Sequence, residues 1–419
     1  MDLEEVLTRG VAEIVVEGDF NRLLRQGKPL RLKQGFDPSR PDIHLGHVVG
    51  LRKLRQLQEL GHEVILIVGD WTAQIGDPSG VSTTRLMLSR DEVQANAESY
   101  MRQFFKVVDR ERTQVLWQSE WFDKFTLAEV IDLCSRFTVA QMLAREDFSR
   151  RYSSNRPIAI TELLYPLLQA YDSVVIKADV ELGGIDQKFN CLVGRELQAM
   201  MGQPSQQVML LPLLVGTDGH LKMSKSYGNY IAVEDPPAGM YGKVMSLPDE
   251  LILDYLRLVT DVPLEEIQEY QGQIAAQSIN PMVVKQRLAR EVVAQFHSWE
   301  AAQKAEAHFV RVFQRRELPE EIPTVDLYPW QLRIPYQFFH SQKGQEERAP
   351  EGGLWADMPD LMVAVGLTKG RGEGKRLLAQ GAVEIDGLRV LNTAAVVKSG
   401  SVIRAGKRRF LRINLLDNC

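Results

Sequence analysis

The sequence has little cysteine and no long hydrophobic segment, and both absences restrict what the chain can be. Its three cysteines, Cys134, Cys191 and Cys419, lie far apart and show no metal-type spacing. So sparse and odd a count indicates a reducing compartment without a disulfide framework. No apolar run approaches the roughly 18–20 residues that a membrane-spanning helix needs, and the acidic start at residues 1–5 is unlike a signal peptide. We therefore expect a cytoplasmic protein with no membrane partner.

The chain also lacks a strong excess of charge of either sign. Its 419 residues carry a net charge of −5, which argues against a protein built wholly to coat nucleic acid. With 44% hydrophobic and 25% charged residues, the composition is that of a globular protein. The length is sufficient for two or three domains.

Near its amino end the chain contains an alternation of strand and helix patterns. An apolar-patterned segment at residues 30–36 is followed by an amphipathic helix pattern at 48–60 and a second strand at 63–69. The second strand is apolar throughout, which is typical of a parallel strand buried on both faces. This unit predicts a right-handed crossover in a Rossmann-like doubly wound α/β sheet, whose ligands bind beyond the carboxyl ends of the strands.

The loop after the first strand holds two histidines at a helix start. His44 and His47 flank Gly46 at the point where the strand has ended and the helix begins. The first backbone N–H groups of a helix have no internal partner and the helix dipole is positive there, so this position suits an anion. A metal site is a poor interpretation, because no cysteine, glutamate or third histidine stands at ligand spacing.

A later helix pattern, at residues 161–173, carries an unusual polar stripe. Tyr165, Gln169 and Asp172 recur at i, i+4 and i+7, so they share one face of an otherwise apolar helix. Buried polar groups need hydrogen-bond partners. A bound ligand could be one such partner.

Further polar residues stand in loops of the same region. Asp77 lies in a turn rich in glycine and proline, which would aim its carboxylate. Asp186 and Gln187 follow a glycine pair, and Lys222 and Lys225 follow a turn farther along the chain. Each feature alone has an ordinary explanation: a structural histidine pair, solvated lysines, a turn cap or a satisfied core network. Their joint occurrence in loops and helix starts of one α/β region favours a common site.

The pattern changes to helices beyond residue 236, and the end of the chain differs again in charge. Residues 355–419 hold 11 Lys and Arg against 6 Asp and Glu, a net charge of +5, which fits either a solvated face or a nucleic-acid contact. A polar, glycine-rich stretch precedes them, as expected of a linker. The chain is therefore predicted to hold an α/β domain at 1–230, an α-helical domain at 231–340, a linker at 341–354 and a small α+β domain at 355–419.

Two of these motifs together resemble the signature pair of class I aminoacyl-tRNA synthetases. They are His-Leu-Gly-His at residues 44–47 and Lys-Met-Ser-Lys-Ser at residues 222–226. Four further segments resemble the bacterial tyrosyl-tRNA synthetase family: residues 35–38, 76–80, 165–172 and 183–187. The tail, at residues 366–367 and 375–383, is similar to an S4-type RNA-binding domain. The resemblance covers nearly the whole chain.

The resemblance implies a tyrosine–tRNA ligase. Such an enzyme activates L-tyrosine with ATP to tyrosyl-adenylate and pyrophosphate, then transfers the tyrosyl group to the 3′-terminal adenosine of tRNA(Tyr). ATP would act as a substrate with Mg²⁺, and no prosthetic group is expected. The family also implies a homodimer, with its interface in the region of residues 138–164, and tRNA binding by the helical domain and the S4-like tail.

Residue roles follow from the resemblance, position by position. Charge stabilisation during catalysis falls to His44, His47, Lys222 and Lys225. ATP binding falls to Asp37, Gly46, Asp186, Gln187 and Lys225. Tyrosine binding falls to Asp77, Tyr165, Gln169, Asp172 and Gln187, with Asp172 accepting a hydrogen bond from the phenol. tRNA phosphates would be contacted by Lys369, Arg371, Lys375, Arg376, Lys407, Arg408 and Arg409.

Two positions depart from the family pattern, and three alternatives remain open. Lys33 stands where some members have a tyrosine that is a second partner of the substrate hydroxyl, and Gln118 stands where some have asparagine. A tryptophanyl-tRNA synthetase shares both signatures but generally lacks an S4 tail, and Asp172 suits a phenol better than an indole. The S4-like tail also disfavours a nucleotidyltransferase that acts without tRNA. A non-catalytic RNA-binding paralogue is disfavoured by the intact histidines, aspartates and lysines.

Overall fold

The structure is a computed structural model, which describes residues 3–79, 88–314, 322–328, 353–406 and 409–416. The chain divides into two compact units, unit 1 (Met1–Glu306) and unit 2 (Ala307–Cys419). None of the helices in these described ranges is both long enough and apolar enough to cross a membrane. The predicted domain boundaries at residues 230, 340 and 354 stay predictions, and residues 341–352 of the predicted linker lie outside the described ranges.

A six-stranded sheet forms the centre of unit 1. Its strands are β1 (Glu13–Val15), β2 (Arg31–Phe36), β3 (Glu63–Val68), β4 (Thr113–Trp117), β5 (Val180–Gly184) and β6 (Gln207–Leu211). They lie in the order β1-β6-β5-β2-β3-β4, and all neighbours are parallel except the β1–β6 pair. The chain leaves β2 for β3 on one side and later returns to β5 on the other. A crevice for ligands is therefore expected at the carboxyl ends of β2 and β5.

Helices cover this sheet and continue past it. Those before β5 are α1 (Leu3–Thr8), α2 (Glu17–Arg25), α3 (Leu45–Glu59), α4 (Thr72–Ile75), α5 (Arg90–Phe104), α6 (Ser119–Phe122), α7 (Leu127–Ser135), α8 (Val139–Leu143), α9 (Glu146–Ser153) and α10 (Ile160–Ile176). Those after it are α11 (Lys188–Met200), α12 (Pro237–Met245), α13 (Ile252–Val259), α14 (Leu264–Ala275), α15 (Pro281–Phe296) and α16 (Trp299–Phe309). The predicted strand–helix–strand unit and the α/β sheet covered by helices are confirmed, but the sheet is mixed rather than wholly parallel, because β1 pairs with β6 in the antiparallel direction.

The central strand β3 and helix α10 show why these segments fold as they do. Residues 64–68 of β3 are all buried, as the uniformly apolar pattern predicted. Helix α10 packs against α11 and the helices before it, through an apolar cluster on the side away from its polar stripe. The fully or nearly buried members of that cluster are Leu133, Phe137, Met142, Leu167, Ala170, Val174, Val193 and Leu197.

Two elements differ from the sequence-based expectation. The segment 138–151 has a sequence pattern that predicts one helix, but it is divided into α8 and α9 because Arg145 has an extended backbone, with ψ at 129°. The side chain of Arg145 is buried, and it contacts Asp147 in α9 as well as Asn190 on α11. The strand pattern at 208–215 ends early, at Leu211, because Pro212 has no N–H to donate to a sheet.

Unit 2 is a small α+β structure. Its strands are β7 (Thr324–Leu327), β8 (Gly353–Asp357), β9 (Val383–Ile385), β10 (Leu388–Arg389), β11 (Ala394–Lys398), β12 (Val402–Ala405) and β13 (Arg409–Leu415), and its helices are α17 (Met358–Ala364) and α18 (Arg371–Ala379). One sheet has the order β10-β9-β12-β13-β7, and a second pairs β11 with β8. Both helices contribute to one core with the sheets, through Leu361, Met362 and Leu378.

Candidate functional site

A cavity of about 600 Å³ opens in unit 1, lined by residues that follow β2, β5 and β6. Its wall also includes the first turn of α3 and the polar stripe of α10. Every residue predicted for catalysis, ATP or tyrosine lines it: Asp37, His44, Gly46, His47, Asp77, Tyr165, Gln169, Asp172, Asp186, Gln187, Lys222 and Lys225. The structure thus brings these twelve residues together at the edge of the sheet where the sequence placed the ligand site.

The two histidines are held by reciprocal hydrogen bonds at the start of α3. The backbone N–H of His44 donates to Nδ1 of His47 at 3.3 Å, and that of Gly46 donates to Nδ1 of His44 at 3.2 Å. Their rings stack at 3.9 Å between centroids. A neutral ring that accepts at Nδ1 carries its proton on Nε2, so both Nε2 atoms are donors.

Both rings are neutral because they are buried beside positive charge. Burial, together with the charges of Lys225 and Lys222, lowers the pKa of His44 to about 3. Burial and neighbouring His44 lower the pKa of His47 well below its ordinary value. A side chain at Gly46 would place its Cβ 3.0 Å from the ring of His44. The glycine therefore leaves the start of α3 open toward the cavity.

The lysine loop at residues 222–226 contacts the opposite wall. Nζ of Lys222 lies 2.6 Å from Oδ2 of Asp186. Nζ of Lys225 donates to the hydroxyl of Tyr100 at 2.8 Å and to the carbonyl of Arg40 at 3.0 Å. Burial lowers the pKa of Lys225 to about 7. Both cations predicted for the phosphates are therefore already held against the cavity wall.

Asp172 lies at the inner end of the polar stripe and is 2% exposed. Its Oδ2 accepts a hydrogen bond from Nε2 of Gln118 at 2.9 Å, while its Oδ1 is buried and has no hydrogen-bond partner among the described residues. Burial raises the pKa of Asp172 to about 7, against the opposing influence of Lys33 and of the Gln118 hydrogen bond. The cavity thus contains a carboxylate oxygen that can accept a hydrogen bond from a ligand.

A second carboxylate region lies around Asp37 and Asp77. The hydroxyl of Tyr165 donates to Oδ2 of Asp37 at 2.8 Å. Nε2 of Gln187 donates to Oδ2 of Asp77 at 2.7 Å. Burial raises the pKa of Tyr165 well above its ordinary value, helped by the charges of Asp37 and Asp77. Tyr165 therefore stays a neutral phenol, whose hydroxyl donates one hydrogen bond and can still accept another.

Three residues around the cavity were not given a role from the sequence. Gln118 links Asp172 to the start of α4, because its Oε1 accepts from the N–H of Thr72 at 3.0 Å. Arg145 lies 3.6 Å from Asp77 and donates to Asn190 at 3.0 Å, and Asn190 in turn donates to Gln187 at 2.9 Å. Nothing in the local sequence pattern around Arg145 predicts these partners, because they are distant in sequence.

Lys33 is the third of these residues, and the structure shows its contacts within the protein. Its side chain is fully buried behind α10. Nζ donates to the carbonyl of Gln169 at 2.8 Å and to Oγ of Ser173 at 2.7 Å, and it lies 3.0 Å from Oε1 of Glu181. A lone glutamate within the apolar strand β5 was the signal that could have predicted a buried partner for this lysine.

Five of the basic residues predicted for tRNA are described, and they lie in unit 2, on or near α18 and at the start of β13. Lys369, Arg371, Lys375 and Arg376 are all exposed. Arg371 is in ion pairs with Asp357 and Asp360, and Arg409 lies 2.9 Å from Glu373. Lys407 and Arg408 lie outside the described residues.

Comparison with known proteins defines the class to which this site belongs. The family model described as "tRNA synthetases class I (W and Y)" matches residues 25–314. The chain therefore belongs to the class I tRNA synthetases that the model describes, and the predicted family is confirmed. Within that class it is similar to tyrosine–tRNA ligases.

Two such relatives span nearly the whole chain. The tyrosine–tRNA ligase of Dehalococcoides mccartyi is 55% identical over 408 residues, which is 97% of both chains. That of Thermotoga maritima is 50% identical over 413 residues, covering 98% of this chain and 96% of the relative. Among solved structures, the tyrosyl-tRNA synthetase of Archaeoglobus fulgidus complexed with L-tyrosine matches with a TM-score of 0.59 and 25% identity, over 72% of this chain and 98% of its own.

Proposed function

We propose that this chain, a tyrosine–tRNA ligase, joins L-tyrosine to ATP in the cavity of unit 1 and then passes the tyrosyl group to the 3′-terminal adenosine of tRNA(Tyr). The ligase function is that of the curated relatives, at 50–55% identity over nearly the full length. These relatives do not favour the tryptophan-specific or the non-catalytic alternative. The roles of the individual residues are our proposal.

The observation that carries the proposal for tyrosine is the buried Oδ1 of Asp172, which has no hydrogen-bond partner among the described residues and belongs to the cavity wall. We place the phenol hydroxyl of the substrate as a donor to this oxygen. Phenylalanine has no hydroxyl, so it would leave the carboxylate buried and unpaired, which costs binding free energy. The carboxylate therefore favours tyrosine over its closest analogue.

The substrate ammonium would lie at the other end of the stripe. Tyr165 and Gln169 each donate a hydrogen bond to a carboxylate, to Asp37 and Glu181 respectively. Their oxygens are therefore turned into acceptors for an N–H donor. Asp77 supplies the negative charge, and Gln187 places its amide between that charge and the reacting carboxylate. Such a set binds an α-amino group in one orientation.

The chemical step needs stabilisation of charge on phosphate oxygens rather than an enzyme nucleophile. An oxygen of the tyrosine carboxylate forms a bond to the α-phosphorus of ATP, while the bond from that phosphorus to the pyrophosphate oxygen breaks. His44 and His47 present neutral Nε2–H donors at the positive end of α3, where the phosphates would bind. Lys222 and Lys225 then balance the charge that develops on the departing pyrophosphate.

ATP would be oriented by its ribose and its metal ion. We place the ribose on Asp186, which requires Lys222 to exchange that carboxylate for a phosphate oxygen. Mg²⁺ accompanies the phosphates of ATP, as hard cations with several retained waters do. Gly46 keeps the start of α3 accessible to the nucleotide.

The partners tRNA(Tyr) and a second copy of the chain belong to the same proposal. The exposed basic residues around α18 would contact tRNA phosphates, in an S4-like mode. Large apolar side chains on α7, α8 and α10 are exposed outside the cluster that joins these helices: Leu127 at 74%, Ile131 at 59%, Val139 at 63% and Ile160 at 79%. A second copy would cover them, which supports a homodimer. We also propose a cytoplasmic location, which suits an enzyme that charges tRNA.

One variant tests the tyrosine site directly. Asp172→Asn keeps the size of the side chain and removes its charge. We expect the KM for tyrosine in pyrophosphate–ATP exchange to rise by roughly tenfold to a hundredfold, since a charged hydrogen bond is lost, while the KM for ATP stays within about twofold. An unchanged KM for tyrosine would remove Asp172 from the site.

A further inference from the structure

A buried ion pair lies directly behind the proposed tyrosine site. Lys33 on β2 and Glu181 on β5 are neighbours in the parallel register of the two strands. Nζ lies 3.0 Å from Oε1, and the two side chains are 0% and 1% exposed. Removing two charges from water costs about as much free energy as their attraction returns, so such a pair is weak evidence for stability. Its use must therefore be sought in the groups that it contacts.

The pair contacts the part of α10 that carries the polar stripe. Nζ of Lys33 donates to the carbonyl of Gln169 and to Oγ of Ser173, the residue that follows Asp172. Oε1 of Glu181 accepts from Nε2 of Gln169 at 3.0 Å. Gln169 is thus held on the side away from the cavity by two charges: Lys33 binds its backbone carbonyl, and Glu181 binds its side-chain amide. The other oxygen of Glu181 is held by Nε2 of Gln206 at 2.5 Å.

We propose that the Lys33–Glu181 pair selects for tyrosine from outside the cavity, by fixing the orientation of Gln169 and by holding one positive and one negative charge behind Asp172. Neither side chain lines the cavity, so both are positioning residues rather than catalytic ones. The inference rests on the tyrosine site described under Proposed function.

The charges that face Asp172 come from three elements. Lys33 on β2 lowers the pKa of its carboxyl, whereas Glu181 on β5 and Asp37 in the loop after β2 raise it, in the same direction as burial. The amide of Gln118 lowers it through a hydrogen bond. Because burial raises the pKa of the Cys191 thiol, which also faces the pair, that group stays neutral near pH 7.

This arrangement predicts opposite effects for the two members of the pair. Asp172 is ionised above its pKa, so tyrosine should bind more tightly as the pH rises through about 7. Removal of the positive charge of Lys33 raises that pKa, and removal of the negative charge of Glu181 lowers it. The midpoint is the pH at which half of the change in tyrosine binding has occurred. If the two residues only supported the fold, their replacement would weaken binding but would not move this midpoint up in one variant and down in the other.

The experiment compares Lys33→Met and Glu181→Gln, both close in size to the original side chains. The KM for tyrosine is measured by pyrophosphate–ATP exchange between about pH 6 and pH 9, around the midpoint expected for Asp172. We expect the midpoint to move up by about one unit in Lys33→Met and down in Glu181→Gln, with a KM for tyrosine about fivefold higher in Lys33→Met near pH 7. The ratio of kcat/KM for tyrosine to that for phenylalanine should be smaller in Lys33→Met than in the wild type. A neutral Asp172 costs less free energy to leave without a hydrogen-bond partner than a charged one.

The matched control is Lys285→Met. Lys285 is also buried in unit 1 and ion-paired, with Asp249, and its Nζ donates to the carbonyl of Leu247 at 2.6 Å, away from the cavity lining. This variant should leave the midpoint for tyrosine where it is. The KM for ATP should stay within about twofold in all three variants.

The outcomes separate this inference from the proposed function. Midpoints that stay in place, or that move in the same direction in both variants, overturn the role of the pair. If Lys33→Met does not fold, Glu181→Gln decides alone, and a midpoint that fails to fall is contradictory. An Asp172→Asn variant with unchanged tyrosine binding would instead contradict the proposed tyrosine site. If tyrosine binding is weakened in Asp172→Asn but the midpoints do not move in the two pair variants, the tyrosine site stands and only the role of the Lys33–Glu181 pair is contradicted.

Discussion

Nζ of Lys222 and Oδ2 of Asp186 are 2.6 Å apart, so two residues proposed to bind different ends of ATP hold each other in this structure. The lysine is proposed for the phosphates and the aspartate for the ribose. ATP must therefore replace one ion pair with two new contacts. Because the pair is partly exposed, with 37% and 24% of its side chains accessible, breaking it costs little.

The role of Asp186 can be tested through the nucleotide alone. Asp186→Ala should raise the KM for ATP by about tenfold, because hydrogen bonds from the ribose to a charged acceptor are lost. The KM for tyrosine should change by less than about twofold. Both constants come from pyrophosphate–ATP exchange. A larger effect on tyrosine than on ATP would place Asp186 in the amino-acid site instead.

Lys225 is expected to act mainly in the transition state. Lys225→Ala should lower the rate of adenylate formation by about 10²–10³, a range typical for the loss of one donor to developing charge. Its dissociation constant for tyrosine should stay within about twofold. Single-turnover measurement of adenylate separates the two quantities. Equal losses in rate and in binding would remove the lysine loop from the transition state.

The same lysine predicts proton uptake on nucleotide binding. Its pKa is lowered to about 7 by burial, so the ammonium form is lost as the pH rises through that value. Phosphate oxygens favour the charged form, so ATP binding above pH 7 should take up a proton. Calorimetry in buffers of different ionisation enthalpy would detect it. The uptake should be absent in Lys225→Met, whereas undiminished uptake in that variant would point to another group.

The basic surface of unit 2 is expected to serve tRNA and not the exchange reaction. The variant with Lys369, Lys375 and Arg376 all replaced by alanine should raise the KM for tRNA in charging and flatten its salt dependence, since phosphate contacts are lost. Exchange without tRNA should be unaltered. The control carries alanine at Lys28, Lys124 and Lys304, three exposed positions of unit 1. Equal effects of the two triple variants would indicate only non-specific charge.

The exposed apolar surface of α7, α8 and α10 predicts a dimer interface, and charged substitutions in that surface should dissociate the dimer. Val139→Asp combined with Ile160→Asp should shift the protein from dimer to monomer in sedimentation experiments, because two charges would enter an apolar interface. The control replaces Leu388 and Leu391 of unit 2, which are 75% and 68% exposed. A wild-type monomer, or a dimer in both double variants, would contradict this interface.

Local patterns predicted the elements and the members of the site, but not the contacts that orient them. The uniformly apolar β3 and the polar stripe of α10 are visible in the sequence because their periodicity is local. Gln118 meets Asp172 across 54 positions of sequence. Arg145 lies at a break between two helices, where its side chain contacts Asp77 and Asn190. Local periodicity cannot reveal these contacts. Lys33 and Glu181 become partners only through the order of the strands.

The central claim is that the carboxylate of Asp172 makes the cavity a site for L-tyrosine. Pyrophosphate–ATP exchange by the wild-type protein, with L-tyrosine, L-tryptophan and L-phenylalanine compared side by side, tests it most directly. We expect exchange with tyrosine and rates lower by at least about a hundredfold with the other two, in line with the cost of leaving a buried charged group unpaired. Exchange with tryptophan and none with tyrosine would contradict the account.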